Sequence, residues 1–302
     1  MTFLVCTLLG VMAVALWWYR YQTTPTQDGG AYLVVAAGHP CPPPFRWRRL
    51  QTLLRPWCRG VSPQPPAWST PFAQAPTAVR IWTAASWIAL AVSSGLVGVY
   101  AEQHGVSGLL AAGLWVSLPW FRGLVRCPVL TDQVAMMLAL AAAVAPWWAS
   151  VPLALLAGRA NERAPLFAAV FAWSPLPLIG ILAPAWAWWR APECRLLPWL
   201  KEERYRPWKA MRSYHGGAPL YEFMLPWGAG LVAVGRVSLQ LAAALLLGYG
   251  QLLVASDRAR LFQWGAPVVV VAAASVLGTA PEWLMWLVVG AHVVSPWCER
   301  QK

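Results

Sequence analysis

Residues 28–50 read DGGAYLVVAAGHPCPPPFRWRRL. One carboxylate (Asp28), one phenol (Tyr32), one imidazole (His39) and the guanidinium groups of Arg46, Arg48 and Arg49 fall within a single short stretch. A carboxylate acts as a general base when it is held within hydrogen-bond reach of the proton it takes. A guanidinium grips phosphate through two parallel N–H donors, and an imidazole can donate or accept a hydrogen bond. Three further places concentrate polar side chains. Asp132 opens the apolar run of CPVLTDQVAMMLAL; Arg159, Asn161, Glu162 and Arg163 interrupt LLAGRANERAPLF; Asp257, Arg258 and Arg260 precede the apolar run of ASDRARLFQWGAPVVV. Each has a plainer reading beside the chemical one. Asp132, with Thr131 beside it, suits the first turn of a helix, where the dipole favours an acid. Glu162 with Arg159 or Arg163 suits a local surface ion pair.

The elements that must position these groups are apolar. The chain has 302 residues, of which 59% are hydrophobic and 11% charged. A soluble domain carries about 25% charged residues. Residues 3–19, 81–100, 106–121, 129–158, 164–189, 224–256 and 264–295 are almost free of charge, Arg236 being the main exception. A membrane-crossing helix needs about 20 apolar residues. The blocks 129–158 and 264–295 are long enough for two short spans each, broken at Pro146 and at GTAPE, 278–282. The patterning predicts an all-α fold, a polytopic transmembrane helical bundle of about 8–10 spans, with 1–302 as one integral membrane domain. The first run lacks a basic n-region and an A-x-A site, so it is read as a retained span with an interfacial WWYRY flank.

Two connections are long. Residues 20–80 form the first; residues 190–222, with mixed charge, form the second and are read as cytoplasmic. Within the first, FRWRRLQTLLRPW (45–57) places Leu50, Leu53, Leu54 and Trp57 at helical spacing beside a basic side. That pattern predicts an amphipathic helix in the membrane interface. VSPQPPAWSTPFAQAP, 61–76, reads as an extended linker.

The six cysteines form no C-x-x-C pair and the four histidines stand far apart, so no zinc or redox centre is indicated. A Cys41–Cys58 disulfide stays open. The net charge of +12 lies in segments beside the apolar runs, where it can meet lipid phosphates, rather than on a separate module that would read nucleic acid.

Together these pieces resemble the GT-C superfamily of integral membrane glycosyltransferases, in particular bacterial members that use polyprenyl-phosphate sugars. The family pattern after the first span is an acid, a tyrosine a few residues on, a Gly-x-Pro, then Pro-Phe and arginines leading to Leu-x-Pro. Here those are Asp28, Tyr32, Gly38-His39-Pro40, Pro44-Phe45, Arg46, Arg48, Arg49 and LLRPW; LTDQVAMML, GRANERAPLF and SDRARLFQWGAPVVV follow in the family's order over residues 1–280. The chain is shorter than is usual for the family.

The resemblance implies an inverting transfer of a sugar from polyprenyl phosphate to a lipid, glycan or protein acceptor. Asp28 would be the general base. Tyr32, His39, Arg46, Arg49, Asp132, Arg159, Glu162, Arg163, Asp257 and Arg260 would bind substrate. Asp28 and Asp132 could share a divalent ion, Mg²⁺ or Mn²⁺ by ligand type. The family's orientation puts the first long connection, and the active site, on the extracytoplasmic side of the bacterial inner membrane. The seven arginines of that connection run against the positive-inside rule. A transporter or flippase of a lipid-linked substrate, and a non-catalytic membrane scaffold, are the alternatives.

Overall fold

Proline and glycine decide where the helices of this chain stop. A computed structural model describes residues 1–20, 27–39, 50–58, 77–126, 131–189, 225–251 and 263–294, and all regular structure among them is helical, with no strand. The α-helices are α1 (Thr2–Arg20), α2 (Gln27–Ala36), α3 (Thr77–Gln103), α4 (Gly108–Ser117), α5 (Pro119–Arg126), α6 (Asp132–Val144), α7 (Trp147–Ala160), α8 (Ala164–Ala172), α9 (Leu182–Trp189), α10 (Leu239–Gly250), α11 (Ala266–Leu277) and α12 (Glu282–Val294). Helices of 3-10 type run over Leu50–Trp57, Leu176–Ile181 and Leu225–Arg236, the last kinked at Gly228.

Two breaks fall where the sequence puts them. α6 ends at Val144, and Ala145 turns extended ahead of Pro146, because the ring of a proline pushes the preceding residue out of helical geometry. α11 ends before Gly278, and α12 begins just after Pro281. Two more breaks correct the expected spans. The run 106–121 stops at Ser117, with Leu118 extended before Pro119. The run 164–189 stops at Trp173, which adopts a left-handed φ of 47° before Ser174-Pro175. Among the described residues one helix, Thr77–Gln103, is long and apolar enough to cross a membrane; the other apolar helical stretches, Thr2–Trp18 within α1 among them, have 10–17 residues. At about 1.5 Å per residue the 27 residues of α3 reach about 40 Å, whereas the 13 of α6 reach only about 20 Å.

The chain forms two compact units. The unit made of Val11–Ser93 and Leu124–Trp199 carries α2, Leu50–Trp57 and α6 to α9. In it α6 packs on α7 and α8, and α7 packs on Leu176–Ile181. That last contact is backbone-close: a Cβ on Gly158 would collide with the carbonyl oxygen of Gly180, and one on Gly180 with that of Ala154. A second cluster joins Leu33 and Ala36 of α2, Leu54 and Cys58, and Ala78, Val79 and Trp82 at the start of α3, with Leu50 and Val134 packed against it. Trp18 and Trp87 lie with ring centroids 5.6 Å apart.

The unit made of Met1–Gly10, Ser94–Gly123 and Leu200–Lys302 packs α11 on Leu225–Arg236 and on α4, and α12 on α4. Gln240 Nε2 donates to Tyr100 Oη at 2.8 Å, and the Cys6 thiol donates to the Gly108 carbonyl at 3.6 Å. Among the described residues of this unit the buried charge is Arg122, in α5, while Arg236 is exposed; the arginine singled out inside an apolar run is therefore not the one that is buried there.

Polarity runs outward-apolar in several elements. Leu4, Leu8 and Met12, spaced by four on α1, are exposed, and Cys6, Ala13 and Trp17 are buried. On α3 the buried side chains include Thr83, Ser86, Ser93 and Ser94. Such a combination of exposed large apolar side chains and buried hydroxyls is the informative departure from an ordinary globular surface.

Candidate functional site

Helix α6 begins at a buried carboxylate. Thr131 is its N-cap residue and makes no side-chain cap bond; Asp132 follows in the first turn and is 1% exposed. Asn161, also buried, caps the C-terminus of α7, its backbone N–H returning to the Ala157 carbonyl at 2.8 Å. The side chain of Asn161 then works at both ends. Its Nδ2 donates to Asp132 Oδ1 at 2.8 Å, and its Oδ1 accepts from the Arg163 backbone N–H at 3.1 Å. The second bond is an Asx turn, in which a short amide substitutes for a backbone carbonyl, and it delivers the chain to Arg163, the N-cap residue of α8, with Pro165 in the first turn. One neutral side chain thus ties the start of α6 to the end of α7 and the start of α8. Gln133, beside Asp132, donates through Nε2 to the Leu124 carbonyl at 3.2 Å.

Charged groups rim this buried link. Arg159 is exposed in the last turn of α7, where a cation meets the negative end of the helix dipole. Arg163 Nε and Glu162 Oε1 lie 3.9 Å apart, both partly exposed. The two segments nominated separately in the sequence, around Asp132 and over 159–163, therefore meet. The plainer readings hold as well: Asp132 is a first-turn acid, and Glu162 pairs locally with Arg163.

The 28–58 segment belongs to the same unit. Asp28 lies in the first turn of α2, and Tyr32 is buried further along it. The cluster that seats α2 and Leu50–Trp57 also receives Val134, two residues past Asp132, and Leu50–Trp57 touches α7. Gly38-His39 has a local cause. Gly38 has φ 91°; its N–H bonds the Val35 carbonyl at 3.0 Å, and the His39 N–H reaches the Val34 carbonyl at 3.1 Å. This is a Schellman ending, for which glycine in left-handed geometry and a proline shortly after are the usual residues. His39 is half-buried. Cys58 is a free, buried thiol, which sets aside the Cys41–Cys58 bridge, and burial pushes its pKa up. Arg46, Arg49, Asp257 and Arg260 lie outside the described residues, as does the 61–76 stretch.

Asn161, named among the polar residues of LLAGRANERAPLF but given no substrate role beside its charged neighbours, is the one that makes the link. Arg55 is a second residue with no substrate role in the sequence reading. Among the described residues no group of three or more His, Cys, Asp or Glu is placed to hold a metal ion; the side chain of Asp28, which would share a divalent ion with Asp132, lies outside those described. Compared with known protein families, curated proteins and solved structures, the chain finds no match.

Proposed function

We propose that this chain is an integral membrane protein of the bacterial inner membrane, a helical bundle that transfers a sugar from polyprenyl phosphate to an acceptor hydroxyl on the extracytoplasmic side. The membrane reading is supported by the length of α3, by the exposed apolar stripe of α1, by buried hydroxyls on α3, and by exposed tryptophans such as Trp147, Trp148 and Trp189. Trp of this kind sits well at the bilayer boundary. The short helices would lie as re-entrant or interfacial segments, places that apolar stretches of about 10–14 residues take in a membrane protein.

The single observation that carries the transferase reading is that the segments holding Asp28, Asp132 and Arg159–Arg163 share one compact unit and meet through the packing around Val134 and the Asp132–Asn161 bond. In the proposed reaction the Asp28 carboxylate takes the acceptor's proton. The acceptor oxygen bonds the anomeric carbon, and the bond from that carbon to phosphate oxygen breaks on the opposite face. Polyprenyl phosphate leaves with the bonding electrons, and Arg159 and Arg163 meet its charge. Fixed cations in a site that excludes water are the effective way to hold such a leaving group. Asp132, buried and hydrogen-bonded, positions the 161–163 turn.

The test is transfer by the purified chain in lipid nanodiscs, supplied with polyprenyl-phosphate sugars carrying radiolabelled hexose or pentose. The expected result is labelled product from one of them, reduced about a hundredfold or more in Asp28→Asn, the scale of a lost general base. Undiminished product from a folded Asp28→Asn chain would remove the mechanism. Movement of intact donor across the bilayer with no bond cleavage would instead favour a transporter.

A further inference from the structure

The Leu50–Trp57 helix turns two apolar faces in different directions. Leu54 and Cys58, 5% and 4% exposed, sit in the cluster with α2 and α3, and Leu50 packs against it. Leu53 and Trp57, also four apart, are 70% and 49% exposed. The sequence pattern places Leu50, Leu53, Leu54 and Trp57 on one side of an α-helix; the segment instead winds as a 3-10 helix, with about three residues per turn, and those side chains leave it in different directions.

Arg55 lies between them and is exposed. Its guanidinium rests over Gly38: Nη2, Cζ and Nε stand 3.7, 3.8 and 3.9 Å from where a Cβ on that residue would be. It is thereby held at the C-terminal end of α2, the end of a helix that favours a cation. Its side chain makes no hydrogen bond or ion pair with any described residue. The result is an exposed fork of N–H donors near the end of α2, flanked by an exposed leucine and an exposed tryptophan. Residues 46–59 hold five arginines and no acid.

We propose that this face is a seat for anionic phospholipid. Leu53 and Trp57 enter the acyl boundary and Arg55 takes the headgroup phosphate. Arginine suits the task because its planar fork donates two bonds to phosphate oxygens. An apolar body with a basic flank is also the arrangement that binds charged bilayers from the interface. The inference rests on the membrane reading above, but not on the transfer reaction.

The experiment is lipid retention. The full chain is reconstituted in phosphatidylcholine containing a minority of phosphatidylglycerol, re-extracted in mild detergent, and its co-purified lipids are weighed by mass spectrometry. Enrichment of phosphatidylglycerol on the wild-type chain is expected, reduced about fivefold in Arg55→Gln, which is what one arginine contributes near an anionic surface. Arg55→Lys should fall between, and Leu53→Glu should lower retention of both lipids. A purely structural arginine would change stability and leave the lipid ratio alone, so an unchanged ratio in a folded Arg55→Gln chain overturns the proposal. Loss of the enrichment on adding inorganic phosphate to the detergent solution also overturns it, in favour of a free-anion site. A wild-type chain that alkaline carbonate strips from the bilayer defeats the membrane reading itself, and the seat with it.

Discussion

Two stretches of this chain look equally loaded with chemistry, and they owe their residues to different causes. Gly38-His39 has its form dictated locally: a helix must end, glycine supplies the left-handed residue, and the N–H groups of 38 and 39 close the last turn. The 159–163 turn is dictated at long range: Asn161 is placed by an acid 29 positions earlier in the chain. A motif of the first kind recurs wherever helices stop. A motif of the second kind specifies which helices meet, and it buries a carboxylate to do so. The difference teaches that long-range organisation of the candidate site lies in the Asp132–Asn161 link and its rim, with Gly38 valuable mainly for the left-handed residue that ends α2.

Substitutions sharpen or break that contrast. Asn161→Ala is expected to have the largest effect, since it removes both hydrogen bonds of the Asn161 side chain, to the buried Asp132 carboxylate and from the Arg163 N–H. A loss of about 3 kcal/mol is the scale for stranded buried polar groups, read as a drop in unfolding midpoint of the detergent-solubilised chain. Combined with Asp132→Ala it should show strong non-additivity, because residues that share one bond couple; simple additivity would dissolve the link. Gly38→Ala should cost about 1 kcal/mol, the penalty of left-handed geometry for a residue with a Cβ. Neighbours at 3.7 Å or more leave room for the methyl, so no clash adds to it. A loss as large as that of Asn161→Ala would erase the distinction between the two stretches. Glu162→Gln removes only a partly exposed pair and should shift stability by about 0.5 kcal/mol or less, by the same measurement.

Much of this was legible in the residues themselves. Runs of apolar residues without charge point to helices, the only regular structure among the described residues, and Pro146 and the 278–282 stretch mark two of the breaks. The remaining breaks, at Leu118-Pro119 and Trp173, were hidden because prolines flanked by apolar residues do not interrupt a hydropathy pattern even though they interrupt a helix. The site was half legible. Asp132 and the 159–163 turn each stood out as charges beside apolar runs, but nothing in their spacing joins positions 132 and 161, which only the packing of α6 on α7 does. The split of Leu50 and Leu54 from Leu53 and Trp57 was hidden because α-helical spacing put all four on one side, whereas the segment winds as a 3-10 helix and its neighbours decide which side chains are buried.

The most direct measurement of the central claim is photocrosslinking with a polyprenyl phosphate bearing a photoreactive headgroup, followed by peptide mapping of the intact chain in nanodiscs. The account predicts adducts within 27–58 and 131–163, suppressed by excess unlabelled polyprenyl phosphate. Competable adducts confined to 225–294, with none in those two segments, would contradict it.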